Sequence, residues 1–178
     1  MPPRAGQSYA QPFELLNACH ERVERSLALL QRLIAHLQQR GAVDAAARDA
    51  ARDVLRYFDI AAPLHHQDEE RHVFPALAGD ARLAAVCARL QAQHLEIGAA
   101  WQRLRPLLEA LTLAELPALQ AAAAAFVELH DEHLRSEHEL VFPAAAARLD
   151  PAALRVMGLE MAARRGLDLT GSAGPGSR

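Results

Sequence analysis

The sequence predicts an all-α protein: an up-down-up-down four-helix bundle with a short C-terminal fifth helix. Three observations predict it. Hydrophobic residues make up 51% of the 178 positions but aromatics only 4%, so Ala and Leu supply the apolar share while strand-preferring types are scarce. Along four stretches the apolar positions alternate in steps of three and four, the period of one helix face. The connections between those stretches are short, which favours antiparallel neighbours. The length suits one sizeable core and falls short of two ordinary domains.

The first stripe runs through Leu16, His20, Val23, Leu27, Leu30, Ile34 and Leu37. Pro12 fits its first turn, and Gly41 stands where a left-handed cap would end it. Val54, Phe58, Ala61, His65, Glu69 and His72 form the second, entered near Asp44 and ended or kinked near Pro75. After a Gly79-Asp80 turn, with Asp80 as N-cap, the third carries Leu83, Cys87, Leu90, His94, Ile97, Trp101, Leu104 and Leu108. Pro106 is placed to bend its last turns. The fourth reads Leu119, Ala123, Phe126, His130, His133, Glu137 and Leu140, with Pro143 as a kink. Its start is ambiguous, because Thr112 and Glu115 resemble a capping box whereas Pro117 prefers the first turn of a helix. Asp150 and Pro151 open a fifth helix through Leu154, Met157 and Met161. The expected organisation is an N-terminal extension over 1–12, the bundle over 13–149, the C-terminal helix over 150–165 and a flexible tail over 166–178.

A formal charge of −3 gives no general attraction for nucleic acid or anionic lipid, so neither is expected as a partner. Two cysteines, Cys19 and Cys87, are too few for a disulfide framework and read as buried small hydrophobes in a reducing compartment. The N-terminus lacks the apolar run of a secretory signal, and Glu115 and Pro117 interrupt the most apolar region, so no membrane span is expected. On these features a cytoplasmic protein is expected.

Nine histidines are many for a helical chain. Their positions repeat. The run from His65 to Pro75 (HHQDEERHVFP) and the run from His133 to Pro143 (HLRSEHELVFP) align without gaps, each with Glu four residues after His and Phe-Pro nine and ten after it. Each has a lone stripe histidine upstream, His20 and His94, so the halves resemble two copies of one helical hairpin. Four residues advance a helix by about 400° and about 6 Å. His65 with Glu69, and His133 with Glu137, therefore share one face and can reach a common point in the core. A buried carboxylate left alone costs several kcal/mol, whereas two carboxylates among four imidazoles match a pair of cations. These ligand types suit iron, manganese or zinc. Six donor groups exceed the four of a structural zinc site and favour redox iron with a vacant position.

The lone His20, the HHxxEExxxFP run, the lone His94 and the HxxxExxxxFP run together resemble the hemerythrin (HHE cation-binding) family over roughly residues 13 to 149. The resemblance implies a non-haem centre of two iron ions with bound oxo or hydroxo, open to dioxygen, a related diatomic or peroxide. It implies His20, His65, Glu69, His94, His133 and Glu137 as metal ligands, with Glu69 and Glu137 as bridges. Oxygen-carrying hemerythrins place two histidines four apart on the third helix. Here Leu90 and Gly98 flank His94 at that spacing. The gap is open to water or to another side chain, with His130 the nearest candidate on the stripes. The carriers also use a carboxylate five residues after the histidine of the fourth helix, where this chain has His138.

His66 and Glu70 repeat the His65–Glu69 spacing one residue on, and the Phe-Pro positions favour the first pair; the second is expected beside the site or at the surface. His72 with Glu69 has a ferritin-like spacing that no second pair repeats. His138 is expected near the site and His36 in solvent. The leading functional expectation is a protein that binds or senses dioxygen or another small oxidant. The alternatives are a nitric oxide- or peroxide-reactive enzyme, an iron-sulfur repair factor, or a metal-storage bundle.

Overall fold

The computed structural model describes residues 9–168, and every regular element among them is a helix. Helix α1 spans Pro12–Arg40 and ends at Gly41, whose φ of 59° lets its N–H donate to the Leu37 carbonyl. Asp44 caps the next helix by accepting from the Ala47 N–H at 2.9 Å, and its other oxygen lies 2.9 Å from the His36 ring. His36 is thus half-buried in an inter-helix contact rather than free in solvent.

Helix α2 runs continuously over 45–73. It comprises Ala45–Arg56, a π-helical turn Tyr57–Ala61, Ala62–Asp68 and a second π turn Glu69–Val73, followed by a 3₁₀ turn Pro75–Leu77. Asp80 caps α3, Ala81–Ala110, accepting from Arg82 and Leu83. Helix α4, over 116–146, comprises Leu116–Ser136, a π turn Glu137–Val141 and Phe142–Ala146. The Glu115 N–H donates to Thr112 Oγ1 at 3.3 Å in a turn ahead of the helix, but the helix itself begins at Leu116 without a side-chain cap and with Pro117 in its first turn, so the proline marks the start and the capping box does not. Helix α5, Pro151–Arg164, opens on Asp150, which accepts from the Ala153 N–H at 2.8 Å.

All three π turns end two residues before a proline: Pro63, Pro75 and Pro143. Proline has no N–H to donate, and its ring clashes with the carbonyl four residues back. Widening the helix just upstream relieves both problems. Each π turn inserts one residue into the periodicity and shifts every later side chain around the axis. The expected inward positions Ala61, His72 and Leu140 consequently move off the core face. Ala62, Val73 and Val141 are buried there instead, and Leu140 is 42% exposed. In α1, Leu33 is buried and Ile34 only partly so. Pro106 lies within α3 without a π turn.

The core divides into two apolar halves. One contains Val23, Ala62, Ile97 and Phe126; the other contains Leu16, Val73, Leu90 and Val141. On each of the four long helices the residues between these markers include the histidines and carboxylates, so a polar layer crosses the molecule between two greasy ones. Helix α5 seals the second half with Met157, Met161 and Ala162. It is fastened to α2 by Asp68, fully buried, which accepts from Arg164 Nε at 2.8 Å and from Arg165 Nη2 at 2.7 Å. Gly158 leaves room for the Tyr9 backbone: a Cβ there would run into the Tyr9 carbonyl.

Of the expected N-terminal extension, residues 1–8 lie outside the described ones, and Tyr9 is buried in the half of the core that α5 seals. The expected tail lies outside the described residues from 169 onward. Among the described residues no helix is long and apolar enough to cross a membrane.

Candidate metal centre

The structure brings all six sequence-selected residues together. His20 comes from α1, His65 and Glu69 from α2, His94 from α3, and His133 and Glu137 from α4. Glu69 and Glu137 are completely buried, and none of the four histidines is more than 6% exposed as a residue. Glu69 Oε1 lies 3.0 Å from His65 Nε2 and 3.6 Å from His20 Nε2, while its Oε2 lies 3.5 Å from His94 Nε2. Glu137 is arranged in the opposite sense. Its Oε1 lies 3.2 Å from His133 Nε2 and 3.8 Å from His94 Nε2, and its Oε2 lies 3.2 Å from His20 Nε2.

Each carboxylate thus offers one oxygen to each end of the cluster. Two groups result, His20 with His65 and His94 with His133, and Glu69 and Glu137 belong to both; within each group the donor atoms all lie within 4.8 Å of one another. The facing nitrogen of every imidazole and both oxygens of each carboxylate are buried without a hydrogen-bond partner. Buried polar atoms ordinarily find partners. Donors of these types, converging and unsatisfied, fit cations at the centre of each group.

The outer nitrogens fix which atom faces inward. His94 Nδ1 donates to Glu70 Oε1 at 2.7 Å, and His133 Nδ1 donates to Gln93 Oε1 at 3.2 Å. Such partners hold the tautomer and orientation a metal-binding ring needs. Gln93 was not legible as part of the site, because an amide one residue before His94 on a helix carries no motif.

The carboxylates and imidazoles shift one another's protonation strongly. Burial opposes charge on His20, but Glu137 and Glu69 outweigh it and lift the imidazole to about 9. His94 is pushed up to about 10, again against burial, by Glu137, Glu69 and Glu70. Burial and the adjacent Glu137 act to raise Glu69, yet His65, His20 and His94 hold it at about 2. Glu137 is held well below the usual carboxylate range, against burial, chiefly by His133, His20 and His94. Burial pushes His65 down.

The other histidines separate clearly. His66 stacks on His94, with ring centroids 3.9 Å apart and planes 7° apart, and it forms a third potential donor group with His94 and His133. His130 points elsewhere: its Nδ1 donates to the Phe126 carbonyl at 2.8 Å, it belongs to none of the donor groups, and burial lowers it to about 4. The additional histidine that joins His94 and His133 is therefore His66, which the stripe pattern had set aside, and not His130. His72 pairs with Glu160 of α5 at 3.2 Å, away from the cluster. His138 is exposed.

Two depressions approach the cluster from opposite sides. One of about 250 Å³ is walled by Phe58, Ile97, Trp101 and Phe126, borders Gly98, and reaches His66, Glu70 and His94. The rings of Phe58, Trp101 and Phe126 pack with centroids 4.8 to 5.6 Å apart, an apolar wall. The other, about 460 Å³, lies between α1 and α4, is edged by charged residues and reaches His20.

Comparison with known proteins agrees with this geometry. The family model of the hemerythrin HHE cation binding domain matches residues 11–145. An uncharacterized protein of Haemophilus influenzae (strain ATCC 51907 / DSM 11121 / KW20 / Rd) is 32% identical over 165 residues, covering 92% of this chain and 95% of that protein. The match takes in all six clustered residues, and the chain belongs to the hemerythrin HHE cation-binding domain family.

Proposed function

We propose that this chain is a non-haem di-iron protein that binds or senses dioxygen or a related small oxidant. The observation that carries the reading is the opposed orientation of Glu69 and Glu137, each with one oxygen toward His20 and the other toward His94. In this reading His20 and His65 hold one ion, His94 and His133 hold the other, and both carboxylates span the pair. Iron held there would supply redox chemistry toward a small ligand. Glu70 and Gln93 orient the rings of His94 and His133. Phe58, Trp101 and Phe126 exclude water on the His94 side, and the 250 Å³ pocket they wall admits an uncharged diatomic. The four long helices form the up-down-up-down bundle with α5 as its lid, and two buried unpaired cysteines support a cytoplasmic setting.

A second reading, turnover of nitric oxide or peroxide, draws on Gly98, where a side chain could close the apolar pocket and none does. Open positions favour reactivity. Metal analysis of the purified protein, with optical spectra of the reduced form before and after air, tests the main reading. Two irons per chain and new charge-transfer absorption are expected. A preparation without iron that gains no such absorption on aerobic reconstitution would sink the proposal. Stopped-flow addition of peroxide or nitric oxide separates the two readings, since a stable adduct supports the first and turnover the second.

A further inference from the structure

The 460 Å³ depression between α1 and α4 has a character the apolar pocket lacks. Its rim carries the carboxylates of Glu24, Asp131 and Glu139, all exposed, against the single guanidinium of Arg135, with His138 and Gln31 beside them. Of the six clustered residues only His20 lines it. His20 is 6% exposed and its Nε2 is buried without a hydrogen-bond partner, 3.2 Å from Glu137 Oε2. Glu24 follows His20 by four residues on α1, so the rim and the buried ring lie one helical turn apart. The opposite pocket has mainly apolar and aromatic walls; it reaches the imidazoles of His66 and His94, but its one carboxylate, Glu70, is already bound to His94, so no free acid lines it.

We propose that this depression is the loading port for divalent cations, in which Glu24, Asp131 and Glu139 concentrate the hydrated ion and His20 takes it from the rim into the cluster. The port rests on the metal-centre reading above. Uncharged ligands and metal then use different doors, on opposite sides of the polar layer. An acidic mouth raises the local cation concentration and the encounter rate, an effect that salt screens.

The test is stopped-flow uptake of Co²⁺ by the full-length metal-free protein at low and high ionic strength. Combined Glu24→Gln, Asp131→Asn and Glu139→Gln should slow uptake at low salt by about tenfold and abolish most of its salt dependence. Final stoichiometry and circular dichroism should be unchanged, because all three side chains are exposed. Gly98→Leu, which fills the apolar door at a position where a Cβ meets nothing within 4 Å, should load at the unaltered rate. Equal rates for the triple variant and the unaltered chain, or slowing by Gly98→Leu, would overturn the port while leaving the metal centre standing. Absence of Co²⁺ uptake by the unaltered chain would reject both.

Discussion

Glu70 and His94 meet across 2.7 Å, carboxylate to Nδ1, and this contact turns the other nitrogen of the ring toward Glu69 and Glu137. Losing it frees the ring without removing a ligand. Glu70→Ala should weaken metal binding by about 10- to 100-fold with the number of ions per chain unchanged, as read by competition with a chromophoric chelator. An unchanged affinity would mean that stacking on His66 alone orients His94.

Glu69 and Glu137, which each face both ends of the cluster, should behave differently from Glu70. Glu69→Ala or Glu137→Ala should lower the content to one ion per chain or fewer and remove most of the rise in Tm that metal confers on the unaltered protein. Elemental analysis with thermal melts measures both. If both variants keep the full metal content, the ligand assignment fails.

The metal-free protein should be most stable in mildly acidic solution. His20 and His94 titrate near 9 and 10 in the folded state, above the ordinary 6.5, so their contribution is complete below about 6.5 and is lost as pH rises through 9 to 10. Glu69, depressed from 4.5 to about 2, contributes fully above the ordinary value and loses that contribution as pH falls through about 2. Burial lowers His65, His66 and His130 in the folded state, His130 to about 4, so these rings cost stability as pH falls below their ordinary 6.5. The expected melting profile of the metal-free form therefore peaks near pH 6.5 and declines on both sides. Metal affinity should rise over the same alkaline range, because cations displace the protons on His20 and His94. A metal-free Tm that climbs between pH 7 and 10 would contradict the assignment.

Gly158→Ala should destabilise the fold by about 1–3 kcal/mol, because the new methyl collides with the Tyr9 carbonyl. In an unobstructed helix the same change would stabilise. Urea denaturation gives the sign directly, and a neutral or stabilising result would show that the segment at Tyr9 is not held against α5.

Most of the architecture was legible because capping and periodicity are local. Gly41, Asp44, Asp80, Asp150 and Pro151 act where the sequence placed them. His65, Glu69, His133 and Glu137 were readable because the His–Glu spacing and the Phe-Pro echo fix both chemistry and phase, and His20 and His94 because each stands alone on an otherwise apolar stripe. What a strict helical count misses is the extra residue ahead of Pro63, Pro75 and Pro143, which sends His72 to Glu160 and leaves Leu140 exposed. Proline six residues beyond an inward acid, as Pro75 follows Glu69 and Pro143 follows Glu137, is the signal that would have revealed two of the three turns. Gln93, and the turn of His66 rather than His130 toward His94, depend on how α2, α3 and α4 pack, and no single stretch of sequence encodes that.

The polar layer has a mechanical consequence. The two apolar halves are joined across the middle mainly through charged groups, so whatever neutralises Glu69 and Glu137 also decides whether the halves unfold together. With cations bound there, the layer should act as a rivet and the molecule should unfold as one cooperative unit. Without them the half containing Leu16, Leu90 and Met157 can open on its own, a separation that native-state hydrogen exchange would record as two tiers of protection merging into one when metal is added.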